Sequence, residues 1–303
     1  MNKRLPAFIT FLILALVLLV IKTSTVPNQE RQDHASPKQE KIHVTASFYP
    51  MFFFAKETGG ERVEVTNLTP AGSEPHDYDP SPQDMATIEK SRLLILNGGG
   101  VETWEEKIRD NLKGKNTMII AVGEDSIAMK DPHVWLSPPL AKQEVDKITD
   151  GFVKADPANS QLYLRNANNL KDKLEALDQK YKQELKSCKL KDIITAHAAF
   201  GYLAASYGFH QVAISGFSPD EEPAPGKLSQ VARFAKDKNI TYIFFESLVS
   251  PKLSETVANE VGARTLVLNP VEGLTAQETK SGKNYFSLME DNLINLKLAL
   301  RCL

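Results

Sequence analysis

Between Pro157 and about Lys186 the chain runs for some thirty residues with no glycine and no further proline. Leu170, Leu174, Leu177 and Tyr181 recur along this stretch at helical spacing. Thirty residues of continuous helix extend about 45 Å, well beyond the width of one small domain. Such an element suits a rigid strut between two bodies better than a flexible hinge. The chain has 303 residues, enough for two domains with separate cores.

A strand–helix rhythm lies on each side of the strut. Before it, strands read at 42–47, 62–68, 92–96 and 117–122. After it, they read at 192–196, 211–214, 241–245 and 264–268, with a last helix from about Tyr285 to Leu300. Short strands alternating with helices imply parallel sheets covered on both faces. The fold class is therefore α/β, two parallel-sheet (β/α) lobes bridged by one long rigid helix. The division reads as an N-terminal lobe at 42–156, the linking helix at 157–187 and a C-terminal lobe at 188–303.

The chain ahead of residue 42 lies outside the fold. Lys3 and Arg4 precede Ala7 to Ile21, in which only Thr10 is not apolar. This is the layout of a secretory leader. This 15-residue run would span about 22 Å as a helix, against a hydrocarbon core of roughly 30 Å. No cysteine occurs before Cys188, and Ile21–Thr25 offers no clear small-x-small cleavage site. Residues 1–26 read either as a cleaved signal peptide or as an uncleaved N-terminal membrane anchor; both place the rest outside the cytoplasm. Residues 27–41 are polar and aperiodic, a flexible linker in which His34 reads as a solvated side chain. In an exported chain Cys188 and Cys302 can pair or remain free thiols, and both readings stay open.

A formal net charge of −2 excludes a typical basic nucleic-acid binder. The chemistry is carried by histidines. His76 lies in Glu74-Pro75-His76-Asp77 after the second strand, His133 in Asp131-Pro132-His133-Val134 after the fourth, and His197 directly after the fifth. Glu272, in Asn269-Pro270-Val271-Glu272, follows the eighth strand. Open parallel sheets bind ligands beyond the carboxyl ends of their strands. With two of these residues per lobe, all four can converge in the cleft between the lobes on one metal ion. Three imidazoles and one carboxylate suit tetrahedral Zn2+; a manganese or iron receptor of the same plan would use more carboxylate. Glu246, at a strand end, reads either as a partner for a histidine N–H or as a helix-start carboxylate, and not as a ligand. His43 and His210 read as strand residues without a metal role, and Trp135 and Tyr78 as packing residues that hold the ligand loops. Residues 218–226 form an acidic, proline-rich loop, either solvated or a docking edge for a membrane permease.

Five motifs in a fixed order resemble the metal-binding receptors of ABC importers, the cluster A-I family, and within it the zinc receptors of the ZnuA/AdcA type. They are EPHDYDPSPQD around His76, DPHVWLSP around His133, TAHAAFGYLA around His197, FSPDEEPAPGKL at 217–228, and NPVEGL with the following GKNYFSLMEDNL. The resemblance covers about residues 42–300. It implies two lobes on a long helix, modest movement on metal binding, and Zn2+ as the transported ligand. His76, His133, His197 and Glu272 would be the donors and an ABC permease the partner of a monomeric receptor. Manganese receptors of the family generally carry Glu where this chain has His197. Two departures stand out: there is no His-rich loop within 123–131, and no lipid-anchor cysteine. Two readings from other classes are a zinc hydrolase with Glu272 as general base, and an adhesin whose metal is structural. Neither an HExxH helix nor a nucleophile elbow supports the hydrolase.

Overall fold

A computed structural model describes residues 40–126, 131–224 and 226–303. The leader and linker expectations for residues 1–39, including His34, lie outside the described residues. Among the described residues no helix is long and apolar enough to cross a membrane.

The first half contains strands β1 (Ile42–Ala46), β2 (Val63–Asn67), β3 (Leu93–Leu96) and β4 (Met118–Ala121), with helices α1 (Tyr49–Gly59), α2 (Pro82–Lys90), α3 (Glu105–Asn111) and α4 (Pro138–Ala155). The strands pair in the order β2-β1-β3-β4, all parallel. All four residues of β3 are buried, as a central parallel strand covered on both faces requires. Ser81 and Asp84 cap α2 reciprocally, with Pro82 at its first position. Ahead of helix α3, Glu102 is drawn inward, accepting from Ser47 Oγ at 2.6 Å and from the Asn97 and Gly98 N–H groups at 2.8 and 2.9 Å.

The strut is helix α5 (Ser160–Leu185), entered through a 3-10 turn at Pro157–Asn159. Its apolar face, including Leu170, Leu174, Leu177 and Tyr181, is buried. Polar bonds fasten it at both ends. Asn166 donates to the Thr58 carbonyl of α1 at 3.1 Å, and Tyr181 donates to the Met289 carbonyl at 2.5 Å.

The second half repeats the plan with β5 (Asp192–Thr195), β6 (His210–Ala213), β7 (Tyr242–Phe245) and β8 (Arg264–Val267). Its helices are α6 (Gly201–Tyr207), α7 (Lys227–Asp237), α8 (Lys252–Val261), α9 (Ala276–Lys280) and α10 (Tyr285–Leu300). The order is β6-β5-β7-β8, again parallel. Each sheet therefore reverses its winding beside its first strand, between β1 and β3 and between β5 and β7, where such sheets open a crevice. Cys188 and Cys302 form a disulfide that ties the approach to β5 to the end of α10.

The two halves share one aromatic junction. Tyr285 of α10 stacks on Phe53 and meets Phe54 edge-on, both from α1, and its hydroxyl donates to the Trp135 carbonyl at 2.6 Å. These contacts lie in the same buried core as residues from both sheets.

Candidate metal centre

Each of the four sequence-selected residues lies in a segment that follows the carboxyl end of a strand. His76 lies in a 3-10 turn, Pro75–Asp77, whose preceding Glu74 accepts from the His76 N–H at 3.0 Å. Tyr78 braces this loop by donating to Asp84 Oδ2 at 2.8 Å. His133 precedes a second 3-10 turn, Val134–Leu136. His197 follows β5, and Glu272 lies five residues beyond β8.

The side chains converge between the two sheets. Glu272 Oε1 is 3.2 Å from His133 Nε2, 3.5 Å from His76 Nε2 and 3.7 Å from His197 Nε2. The Nε2 atoms of His133 and His197 are 3.3 Å apart. All four donor atoms lie within 4.8 Å of one another. A tetrahedron with metal–ligand bonds of 2.0–2.2 Å has edges of about 3.3–3.6 Å. The four separations of 3.2–3.7 Å lie close to those edges. His133, His197 and Glu272 are almost wholly buried. Both Glu272 oxygens and His76 Nε2 lack a hydrogen-bond partner despite their burial. Buried polar atoms ordinarily find partners; here they share a common centre, as donors to one cation do.

Two carboxylates orient the imidazoles from behind. Asp131 Oδ1 accepts from the His133 N–H at 3.0 Å and from its Nδ1 at 2.7 Å. Glu246 Oε1 does the same for His197, at 3.2 and 2.7 Å. A ring that donates through Nδ1 presents the Nε2 lone pair to the centre. Of its two readings, Glu246 thus takes that of a histidine partner. Asp131 had been given none, although an acidic residue stands two positions ahead of both His76 and His133.

The electrostatics favour a cation. Burial opposes charge on His133, but the bond to Asp131 and the nearby Glu272 carboxylate outweigh it and raise the imidazole above its ordinary pKa. The same balance, with Glu246 and Glu272, raises His197 further. Burial works against the Glu272 carboxylate, yet the three imidazoles hold it well below the usual carboxylate range. Burial and the Glu272 charge push Glu74 up to about 9. At the cleft edge, Asp220 of the acidic loop is raised chiefly by a hydrogen bond with Asp77.

His43 and His210 stay apart from this group. Each is exposed, 3.6 Å from Glu64 and from Asp192 respectively. Among the described residues, His76, His133, His197 and Glu272 form the grouping able to hold a metal ion.

Two parallel-sheet lobes on a rigid strut, with a buried three-imidazole, one-carboxylate set in the cleft between them, define a bilobal metal receptor. The family model described as zinc-uptake complex component A, periplasmic, matches residues 44–299. The chain belongs to that family. The high-affinity zinc uptake system protein ZnuA of Bacillus subtilis (strain 168) is 38% identical over 310 aligned positions, covering 96% of both chains. The crystal structure of the Zn(II)-bound ZnuA-like domain of Streptococcus pneumoniae AdcA superposes with a TM-score of 0.77 at 39% identity, covering 86% of this chain and 99% of that domain. Whole AdcA is longer, and the chain spans 55% of it. The laminin-binding protein Lmb of Streptococcus agalactiae, described as having adhesin and metal-transporting activity, gives a TM-score of 0.78 at 31% identity over 86% of this chain and 99% of that one.

Proposed function

We propose that this chain is the extracytoplasmic zinc receptor of an ABC importer, which holds one Zn2+ through His76, His133, His197 and Glu272 and passes it to a membrane permease. The observation that carries this reading is the convergence of four buried donor atoms within 4.8 Å of one another, the donor set that suits tetrahedral zinc. The function named for the Bacillus relative, at 38% identity along nearly the whole chain, points the same way. Residues 42–156 and 188–303 act as two jaws, residues 157–187 as the frame that fixes their separation, and the receptor works as a monomer. The segment ahead of residue 42 exports it and, if retained, tethers it to the membrane.

Capture rather than catalysis follows from the donor count. Four protein ligands complete a tetrahedral shell, whereas catalytic zinc keeps one position for water. A single carboxylate among three imidazoles favours zinc over manganese or iron. Metal analysis of the purified chain and calorimetry with Zn2+ and Mn2+ test the reading. We expect one zinc per chain, a loss of affinity of a hundredfold or more for His76→Ala, His133→Ala or His197→Ala, and a smaller loss for Glu272→Ala. Unchanged zinc affinity in any of the histidine variants removes that residue from the site.

The likeness to Lmb favours a second activity, adhesion, on the same fold. If the metal were only structural, chelation would unfold the chain. In the receptor reading the metal-free chain stays folded and gains thermal stability with added zinc.

A further inference from the structure

Of the four donors, Glu272 rides on the most constrained backbone. Val271, immediately before it, has φ of 59°, a left-handed conformation that a β-branched residue adopts only when its surroundings impose it. The side chain is fully buried, and bonds hold the segment on every side. Asn269 Oδ1 accepts from the Val271 N–H at 2.7 Å. Asn292 of α10 clasps the Asn269 main chain, accepting from its N–H at 2.8 Å and donating to its carbonyl at 2.7 Å. The Asn269 side-chain amide donates to Ser247 Oγ at 2.8 Å.

Two further ties cross from one lobe to the other. The Trp135 indole N–H donates to the Pro270 carbonyl at 2.8 Å, and the Gly72 N–H donates to the Leu274 carbonyl at 2.8 Å. Pro270 and Leu274 stand two residues either side of Glu272. Trp135 is two residues beyond His133, and Gly72 four before His76. The carboxylate loop of the second half is thus stitched to both imidazole loops of the first.

We propose that Trp135 and Asn269 are positioning residues that fix the Glu272 carboxylate at one corner of a tetrahedral cage, and so bias the cleft toward a four-coordinate dication over one that requires six ligands. The inference rests on the receptor reading above. A carboxylate on a loose loop can turn its second oxygen inward and let water join the shell, the arrangement that hard cations such as Mn2+ favour. Held by the Val271 turn and by the indole, the loop that carries Glu272 is denied that freedom. Trp135→Phe removes the donor while keeping a ring beside Phe48 and His133; Asn269→Ala removes the acceptor that closes the turn.

The test loads the purified full-length chain with Co2+, whose visible absorption is intense in tetrahedral and weak in octahedral coordination, and measures Zn2+ and Mn2+ affinities in parallel. Far-ultraviolet circular dichroism of the metal-free variants checks folding. Wild type should give the intense tetrahedral spectrum. Either variant should lose more than half of that intensity, bind zinc about tenfold more weakly, and show a smaller zinc-to-manganese affinity ratio. Should Trp135→Phe fail to fold, Asn269→Ala and the wild-type spectrum still decide the matter. A folded variant with the wild-type spectrum and ratio, even at a lowered thermal midpoint, overturns the proposal, as does a six-coordinate wild-type spectrum. If wild type fails to take up one zinc per chain, the receptor reading itself falls; if it takes up zinc and the variants match it, only this inference does.

Discussion

Removing Glu246 separates a residue that shapes the metal site from one that merely lies near it. Its Oε1 accepts from both the Nδ1 and the backbone N–H of His197, at 2.7 and 3.2 Å, in a buried setting. In Glu246→Ala the ring loses the acceptor that fixes its tautomer, and a buried N–H loses its partner. Loss of such a partner typically weakens metal binding 10–100-fold, which corresponds to about 1.4–2.7 kcal/mol. The orphaned donors should lower folding stability by about 1–3 kcal/mol. Glu246→Gln retains a carbonyl acceptor but no charge, so its zinc affinity should fall by only about tenfold. Competition titration against a fluorescent chelator at pH 7.5, with urea unfolding of the metal-free protein, measures both quantities. Zinc affinity in Glu246→Ala equal to wild type would refute the claim that this carboxylate sets the His197 ring.

Zinc affinity should fall with decreasing pH, starting above the ordinary imidazole range. His133 and His197 have raised pKa values in the metal-free protein, so protons compete with the ion at higher pH; titrations between pH 5 and 8 should reveal proton release on binding. Glu144 is buried with both carboxyl oxygens unpartnered, and burial holds its pKa well above the usual value. The folded state then keeps a proton that the unfolded state releases, so stability declines as pH rises from the ordinary carboxylate range toward the folded pKa. Glu144→Gln should flatten that decline in urea unfolding across pH 5–9; an unaltered slope counts against it. Reducing Cys188–Cys302, which closes a loop with a sequence separation of 114, should cost about 4–5 kcal/mol, or roughly 10–15 °C in the thermal midpoint, by chain entropy. Scans with and without reductant measure it.

The grouping of His76, His133, His197 and Glu272 was legible because strand ends can be read from hydrophobic runs, and parallel sheets present their ligands there. The strut was legible from an absence of helix breakers. Glu246 was legible as a carboxylate at a strand end. Asp131 was not: Asp131-Pro132-His133 and Glu74-Pro75-His76 look alike, yet only Asp131 reaches its histidine's ring, whereas Glu74 bonds the His76 backbone alone. Side-chain direction within a turn decides that, and spacing does not encode it. The start of helix α3 at Glu105 is not legible from propensity, because Glu102, a good helix former, is recruited by Ser47 and two backbone N–H groups. The disulfide stayed open in the sequence because separation along the chain says nothing about proximity. Nothing about valine announces the left-handed turn at Val271, which exists only through bonds from Asn269, Asn292 and Trp135.

The contacts joining the lobes do not pass through the metal position. Tyr285 bonds the Trp135 carbonyl, Trp135 bonds Pro270, Gly72 bonds Leu274, and Ser137 Oγ meets Ser206 Oγ at 2.9 Å. Phe53 and Phe54 close the same junction against Tyr285. A site assembled by its protein frame spends little binding energy on ordering its ligands, so most of the ion's coordination energy appears as affinity. The frame that favours capture also opposes release, because widening the cage must break some of these cross-lobe bonds. Delivery in the receptor reading therefore requires a partner that binds the parted lobes more tightly than the closed ones, and an ion seated this way should leave slowly from the isolated chain. A stopped-flow chelator chase of the zinc-loaded protein reads that rate, and Trp135→Phe, which lacks one of the bonds, should release faster than wild type.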